Sequence, residues 1–181
     1  MKFNFSKKEL DLLVENMVII IDTREQENSH IVDYFKRTNK EFIIKKLDRG
    51  DYSLLIKSND QTKELGIFKD LIFDDIVIER KGSIDELIGN FAERNRIENE
   101  FKSAKYSNKK TKLLIEDEVG YSKICAGNYK SKMSAKSIIA TLESFCDRYD
   151  IEVQFIDKKL IGMKIYTILK YSFLNSIKGE R

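Results

Sequence analysis

The sequence predicts an α/β fold built on a mixed central β-sheet flanked by helices. Three observations lead there. Met17–Ile21 is a continuous apolar run rich in β-branched residues, suited to a strand covered on both faces. The strand-like segments of the first half read as a meander. Beyond them, helical and strand patterns alternate to the end of the chain.

In order, residues 6–16 read as a leading helix, with Ser6 as its N-cap and Leu10, Leu13 and Val14 along one side. The Met17–Ile21 strand ends at Asp22-Thr-Arg-Glu25, and Ile31, Tyr34 and Phe35 mark a helix over about 29–38. Phe42–Leu47 and Tyr52–Ile56 read as strands hinged at Asp48-Arg-Gly-Asp51. The second is expected to pair with a strand near Leu65–Phe68. Asp75–Lys81 is a further strand, followed by one long helix over about 83–106. Lys112–Glu116 returns as a buried strand, and an irregular stretch follows it. A helix near 134–149, a strand at Ile151–Ile156 and a last helix near 160–178 complete the order.

The chain of 181 residues is long enough for one domain with a real core. It shows no repeat or composition break, so residues 1–181 are expected to form a single domain with a core over 17–156. An apolar fraction of 41% and a charged fraction of 35% exclude a fibrous or disordered chain. Net charge is only +3, with 33 basic against 30 acidic residues, so any nucleic-acid surface must come from local segregation of charge. Cys125 and Cys146 match no metal or redox spacing and read as free thiols in a reducing cytoplasm. No signal peptide or membrane span is expected, and no small-molecule cofactor motif is present.

Chemistry concentrates in Ile76-Val-Ile-Glu-Arg-Lys-Gly-Ser-Ile-Asp-Glu86. In a strand, Glu79 and Lys81 project from the same face. A carboxylate that holds a divalent cation, beside an ammonium that orients water or offsets phosphate charge, suits phosphodiester hydrolysis. Asp22 and Asp51 also stand at the edges of expected strands, where α/β sheets expose their sites. Asp22, Asp51 and Glu79 are therefore candidate ligands for Mg²⁺ or Mn²⁺, which prefer hard oxygen donors. Everything turns on these acids and Lys81 converging.

Asp22-Thr-Arg-Glu25, Gly50-Asp51-Tyr52 and Glu79-Arg-Lys-x-x-x-Asp85, in that order, resemble the XPF-type structure-specific endonuclease family. Arg94-Asn-Arg-Ile-Glu-Asn-Glu-Phe101 resembles that family's arginine-bearing helix, and Leu113–Glu116 its following strand. The resemblance spans about residues 17–156. It implies a restriction-endonuclease-like fold, dependence on Mg²⁺ or Mn²⁺, and incision of branched or partly single-stranded DNA, with nuclease domains pairing as homodimers. It implies Asp22, Asp51 and Glu79 as metal-side acids and Lys81 as the catalytic lysine, with Arg80 and Asp85 as supporting catalytic members. Family members in cellular repair continue into tandem helix-hairpin-helix modules. None is seen before Arg181, which points to a single-domain relative from a phage, a mobile element or a bacterium.

Several residues carry a plainer reading beside the functional one. Strand alternation turns Arg80 away from Glu79 and Lys81, so it either braces an acid behind the site or meets phosphate. Asp85 is either a supporting member or a helix cap, and Glu25 an aid to Asp22 or a ligand of a second metal. Arg94 and Arg96 diverge on a helix, and Arg94 is chosen to face DNA. His30 reads as a capping or surface residue. Two stretches, 101–115 and 119–142, carry lysines and no acid. The second gives the DNA-binding candidates Lys123, Lys130 and Lys132, with Tyr129 expected to stack on unpaired bases. The apolar residues of the last helix suit core packing or a subunit interface equally.

Overall fold

The computed structural model describes residues 4–92 and 94–179, the side chains of residues 92, 94 and 95 excepted. Fourteen elements follow in the order α1 (Lys7–Glu15), β1 (Met17–Ile21), α2 (Ser29–Arg37), β2 (Phe42–Ile44), β3 (Tyr52–Ile56), α3 (Asp60–Lys63), β4 (Leu71–Lys81), α4 (Ile84–Ala92), α5 (Arg94–Tyr106), β5 (Lys110–Ile115), α6 (Gly120–Cys125), α7 (Ala135–Tyr149), β6 (Ile151–Phe155) and α8 (Ile161–Lys178). The strands form one mixed sheet in the order β2-β1-β3-β4-β5-β6. The chain divides into two compact units, one holding residues up to Ile76 together with those from Gly162 on, the other Val77–Ile161.

In the first unit, β1 is buried along its whole length, as its apolar run requires. It pairs in parallel with β2, Ile19 opposite Phe42, and antiparallel with β3, Ile19 opposite Leu54. The expected meander is thus corrected: α2 makes a crossover between β1 and β2, which lets them run parallel. Ser6 caps α1 in a reciprocal box with Glu9. Ile165, Leu169 and Phe173 line one side of α8 and are fully buried, with Phe173 edge-on to Phe73 at 5.6 Å. That stripe belongs to the core, while Met163 and Tyr171 of α8 are exposed.

The second unit is built round Phe145 of α7, which meets the rings of Phe91 and Phe101 edge-on at 5.9 and 5.8 Å. Strand β5 pairs in parallel with β6, Leu113 opposite Val153. Gly120 opens α6 against Phe155, where a Cβ would lie 2.2 Å from the ring.

Four further expectations are corrected. The helix foreseen over 83–106 is two helices. After Phe91 the apolar stripe should continue at 94 or 95, but those positions hold Arg94 and Asn95, and a new stripe starts at Ile97. Leu65–Phe68 is no strand. Asn59 and Thr62 cap each other at the start of the short α3, and Gly66 (φ 85°) then turns the chain. Strand β4 begins at Leu71, and the stretch expected to be irregular contains α6.

Candidate active site

The far end of β4 carries the chemistry of the second unit. Lys81 Nζ lies 2.8 Å from Glu79 Oε1, and their side chains are only 7% and 13% exposed. The two-residue strand period puts both on one side, as the sequence requires. Arg80, between them, uses its Nε to donate to Glu116 Oε1 at 2.7 Å, and both members of this pair are buried. A backbone bond from Glu116 N to the Lys81 carbonyl (2.9 Å) ties the end of β5 to the end of β4.

Two acids near this strand end were missed from the sequence. One is Glu116. The other is Glu86, whose carboxylate accepts the Gly82 N–H at 2.7 Å and comes within 3.9 Å of Lys81 Nζ. Ser83 Oγ accepts the Glu86 N–H in return (3.1 Å), so Ser83-x-x-Glu86 works as a helix-start signature. That spacing was visible in the sequence. A Cβ at position 82 would fit closely, 3.3 Å from Arg80 Nη2 and 3.4 Å from Glu86 Oε2. Asp85, one position earlier on α4, accepts the backbone N–H of Lys130 at 2.8 Å.

In the first unit, Asp22 is wholly buried at the end of β1. Its Oδ1 accepts from Arg24 N (2.9 Å) and Arg24 Nε (2.6 Å), and its Oδ2 from Leu47 N (2.6 Å). Burial pushes this carboxyl up, but the hydrogen bonds and the Arg24 charge together outweigh it and hold the group below the usual aspartate range. Asp22 N donates to the Asp51 carbonyl at 2.9 Å, which brings the two residues together at the start of β3. Asp51 is half-buried after Gly50 (φ 71°), the residue that lets the chain turn there. Glu25 accepts from the buried Tyr52 hydroxyl at 2.9 Å. His30 is half-buried in the first turn of α2.

Asp22 and Asp51 therefore lie in the first unit and Glu79, Arg80, Lys81 and Asp85 in the second. Among the described residues, no three His, Cys, Asp or Glu side chains gather into a group that could hold a metal ion. Mg²⁺ does not demand such a cage; one or two carboxylates, waters and substrate phosphate oxygens suffice.

The DNA-binding candidates fare differently from one another. Arg94 opens α5, and its side chain lies outside the described residues. Lys123 pairs with Asp117 at 2.6 Å. Lys130 and Lys132 are exposed, and their ammonium groups have no ion-pair partner among the described residues. Tyr129 is half-buried. Its ring packs on the core and its hydroxyl donates to the Met133 carbonyl at 2.9 Å, because this segment closes on itself. Cys125 and Cys146 are free, and no described helix is long and apolar enough to cross a membrane.

A model of the ERCC4 domain matches residues 21–160. Among solved structures, the chain is similar to XPF from Aeropyrum pernix, with a TM-score of 0.60 and 18% identity over 86% of this chain and 65% of that one. The same protein in complex with DNA matches with a TM-score of 0.59 and 17% identity, over 87% of this chain and 65% of that one. The chain thus spans about two thirds of the length of the structures it matches. No curated protein matches it. The mixed sheet with flanking helices is the XPF fold, and the chain belongs to the ERCC4 domain family.

Proposed function

We propose that this chain is a metal-dependent DNA endonuclease that hydrolyses phosphodiester bonds at branched or single-strand/duplex junctions. Repair, recombination or phage DNA processing would be its setting. One observation carries the reading: in an ERCC4 domain, Glu79 and Lys81 are held at 2.8 Å, nearly buried, at the end of a central strand. Taking two charges out of water is expensive and adds little stability. Such a pair is better explained by chemistry than by folding.

The residues fit Mg²⁺ or Mn²⁺ by the nature of their donors. In the second unit the metal-side candidate is Glu79; in the first it is Asp51. Asp22, whose two oxygens already accept three N–H groups, acts on this reading by fixing the loop before Asp51. When bound, the cation supplies Lewis-acid charge to the phosphate and lowers the pKa of a water.

The protein's own part follows from the geometry. Glu79 holds the ammonium of Lys81 at 2.8 Å, and the Glu86 carboxylate lies 3.9 Å from it. Lys81 Nζ donates to a phosphate oxygen as negative charge builds on it, or orients the attacking water. The water oxygen bonds to phosphorus and gives up a proton to solvent, while the bond to the leaving sugar oxygen breaks and that oxygen takes a proton from solvent. The buried pair of Arg80 with Glu116 joins the end of β4 to the residue that follows β5. Lys130 and Lys132 meet the phosphate backbone. The DNA-bound form of the Aeropyrum pernix protein supports DNA as the partner. Pairing of two copies belongs to the same reading, and light scattering tests it.

Labelled flap, fork, four-way, single-stranded and duplex DNA, each with Mg²⁺, Mn²⁺ or EDTA, test the proposal. Cation-dependent cutting of the branched substrates is expected. Binding without cutting of any substrate would instead make the chain a silent nuclease-fold module.

A further inference from the structure

We infer that Asp85 is a latch that holds a DNA-binding loop in place, an inference that rests on the DNA-nuclease reading above. Its carboxylate accepts the backbone N–H of Lys130 at 2.8 Å, across 45 residues of sequence. The usual task of an acid in a helix's first turn is already filled. Ser83 caps the Glu86 N–H, and the Glu86 carboxylate accepts the Gly82 N–H. Asp85 is left to hold something outside its own helix.

What it holds is a preformed loop. Gly127 (φ 73°) turns the chain after α6, and Tyr129 N donates back to the Gly127 carbonyl at 3.1 Å. The Tyr129 hydroxyl donates forward to the Met133 carbonyl, and Met133 N donates to Ser131 Oγ at 3.2 Å. Tyr129 and Met133 pack on the core, which leaves Lys130 and Lys132 facing solvent on a short closed segment. A carboxylate accepting a backbone N–H is a strong, charge-assisted bond. It fixes the main chain at Lys130 to a residue four positions beyond Lys81. The two free ammonium groups are therefore presented in a set place relative to the Glu79–Lys81 strand end. A fixed cationic pair beside a hydrolytic site binds a phosphate backbone without first paying to order its own loop.

The test compares Asp85→Ala and Asp85→Asn, because an asparagine carbonyl can still accept the Lys130 N–H. Two readouts need no catalysis: hydrogen exchange at residues 127–133, and affinity for a forked DNA in EDTA. In Asp85→Ala, exchange at the Lys130 amide is expected to rise at least tenfold, with DNA affinity falling about tenfold. In Asp85→Asn, both are expected to stay within about threefold of wild type. Lys130→Ala/Lys132→Ala should lower affinity to the Asp85→Ala level, and adding Asp85→Ala to it should cost little more. Wild-type exchange and affinity in Asp85→Ala would overturn the latch, as would an Asp85→Asn protein as impaired as Asp85→Ala. If wild type binds no DNA at all, the nuclease reading falls, and the exchange data alone decide whether Asp85 holds the loop.

Discussion

The carboxylate of Asp22 accepts the backbone N–H of Leu47 at 2.6 Å, and so joins the end of β1 to the chain leaving β2 across 25 residues. With the Arg24 N–H groups on its other oxygen, this buried acid organises the turn that leads to Asp51. Removing it strands the Leu47 amide. Asp22→Ala is expected to lose about 1–3 kcal/mol of folding stability, measured by urea unfolding at pH 7.

The same acid gives stability a pH dependence. Its folded pKa lies below the ordinary value near 3.9, so its contribution is complete above that value. It is lost as pH falls through the folded pKa. Wild type and Asp22→Asn should differ by a constant amount from pH 5 to 7, with the gap narrowing below about pH 4. A gap that does not change between pH 7 and pH 3 would contradict this.

Arg80 and Glu116 form a buried pair, 5% and 0% exposed at the side chain. Leaving one charge behind is costly, so Arg80→Leu is expected to cost about 3–5 kcal/mol. Arg80→Leu combined with Glu116→Leu should recover much of that loss. Thermal unfolding of the two single variants and the double variant measures the coupling.

Gly120→Ala places a methyl 2.2 Å from the Phe155 ring. Overpacking of this kind is expected to cost about 1–3 kcal/mol. Because Phe155 lies at the end of β6, the loss should appear as faster amide exchange in β6.

Lys130→Glu/Lys132→Glu should weaken binding to DNA of any sequence and flatten its dependence on salt. Two lost phosphate contacts lower the slope of log affinity against log salt by about 1.8 on duplex DNA. Titrations of fluorescent DNA at several salt concentrations supply the slope.

Much of this was legible in the chain itself. The β-branched runs at Met17–Ile21 and Ile76–Ile78 announced buried strands, and Glu79-x-Lys81 announced two side chains on one strand face. What escaped depends on partners far apart in sequence. Nothing near Asp85 indicates Lys130, and nothing near Arg80 indicates Glu116. Tyr129 reads as a stacking residue because its neighbours are lysines, and nothing in those neighbours announces that its half-buried ring also packs against the core. Three local signals went unread: the stripe break at Arg94-Asn95 between α4 and α5, the Asn59–Thr62 cap before Gly66, and the Ser83-x-x-Glu86 spacing at the start of α4.

The most direct measurement is single-turnover cleavage of a labelled fork by wild type, Glu79→Gln and Lys81→Met, with Mg²⁺ or Mn²⁺ and with EDTA. Each substitution removes one member of the 2.8 Å pair while keeping most of its volume. Wild type should cut only with the cation, and each variant should be slower by at least about a hundredfold, with DNA affinity within a few-fold of wild type. Cutting by Glu79→Gln at the wild-type rate would show that hydrolysis happens elsewhere.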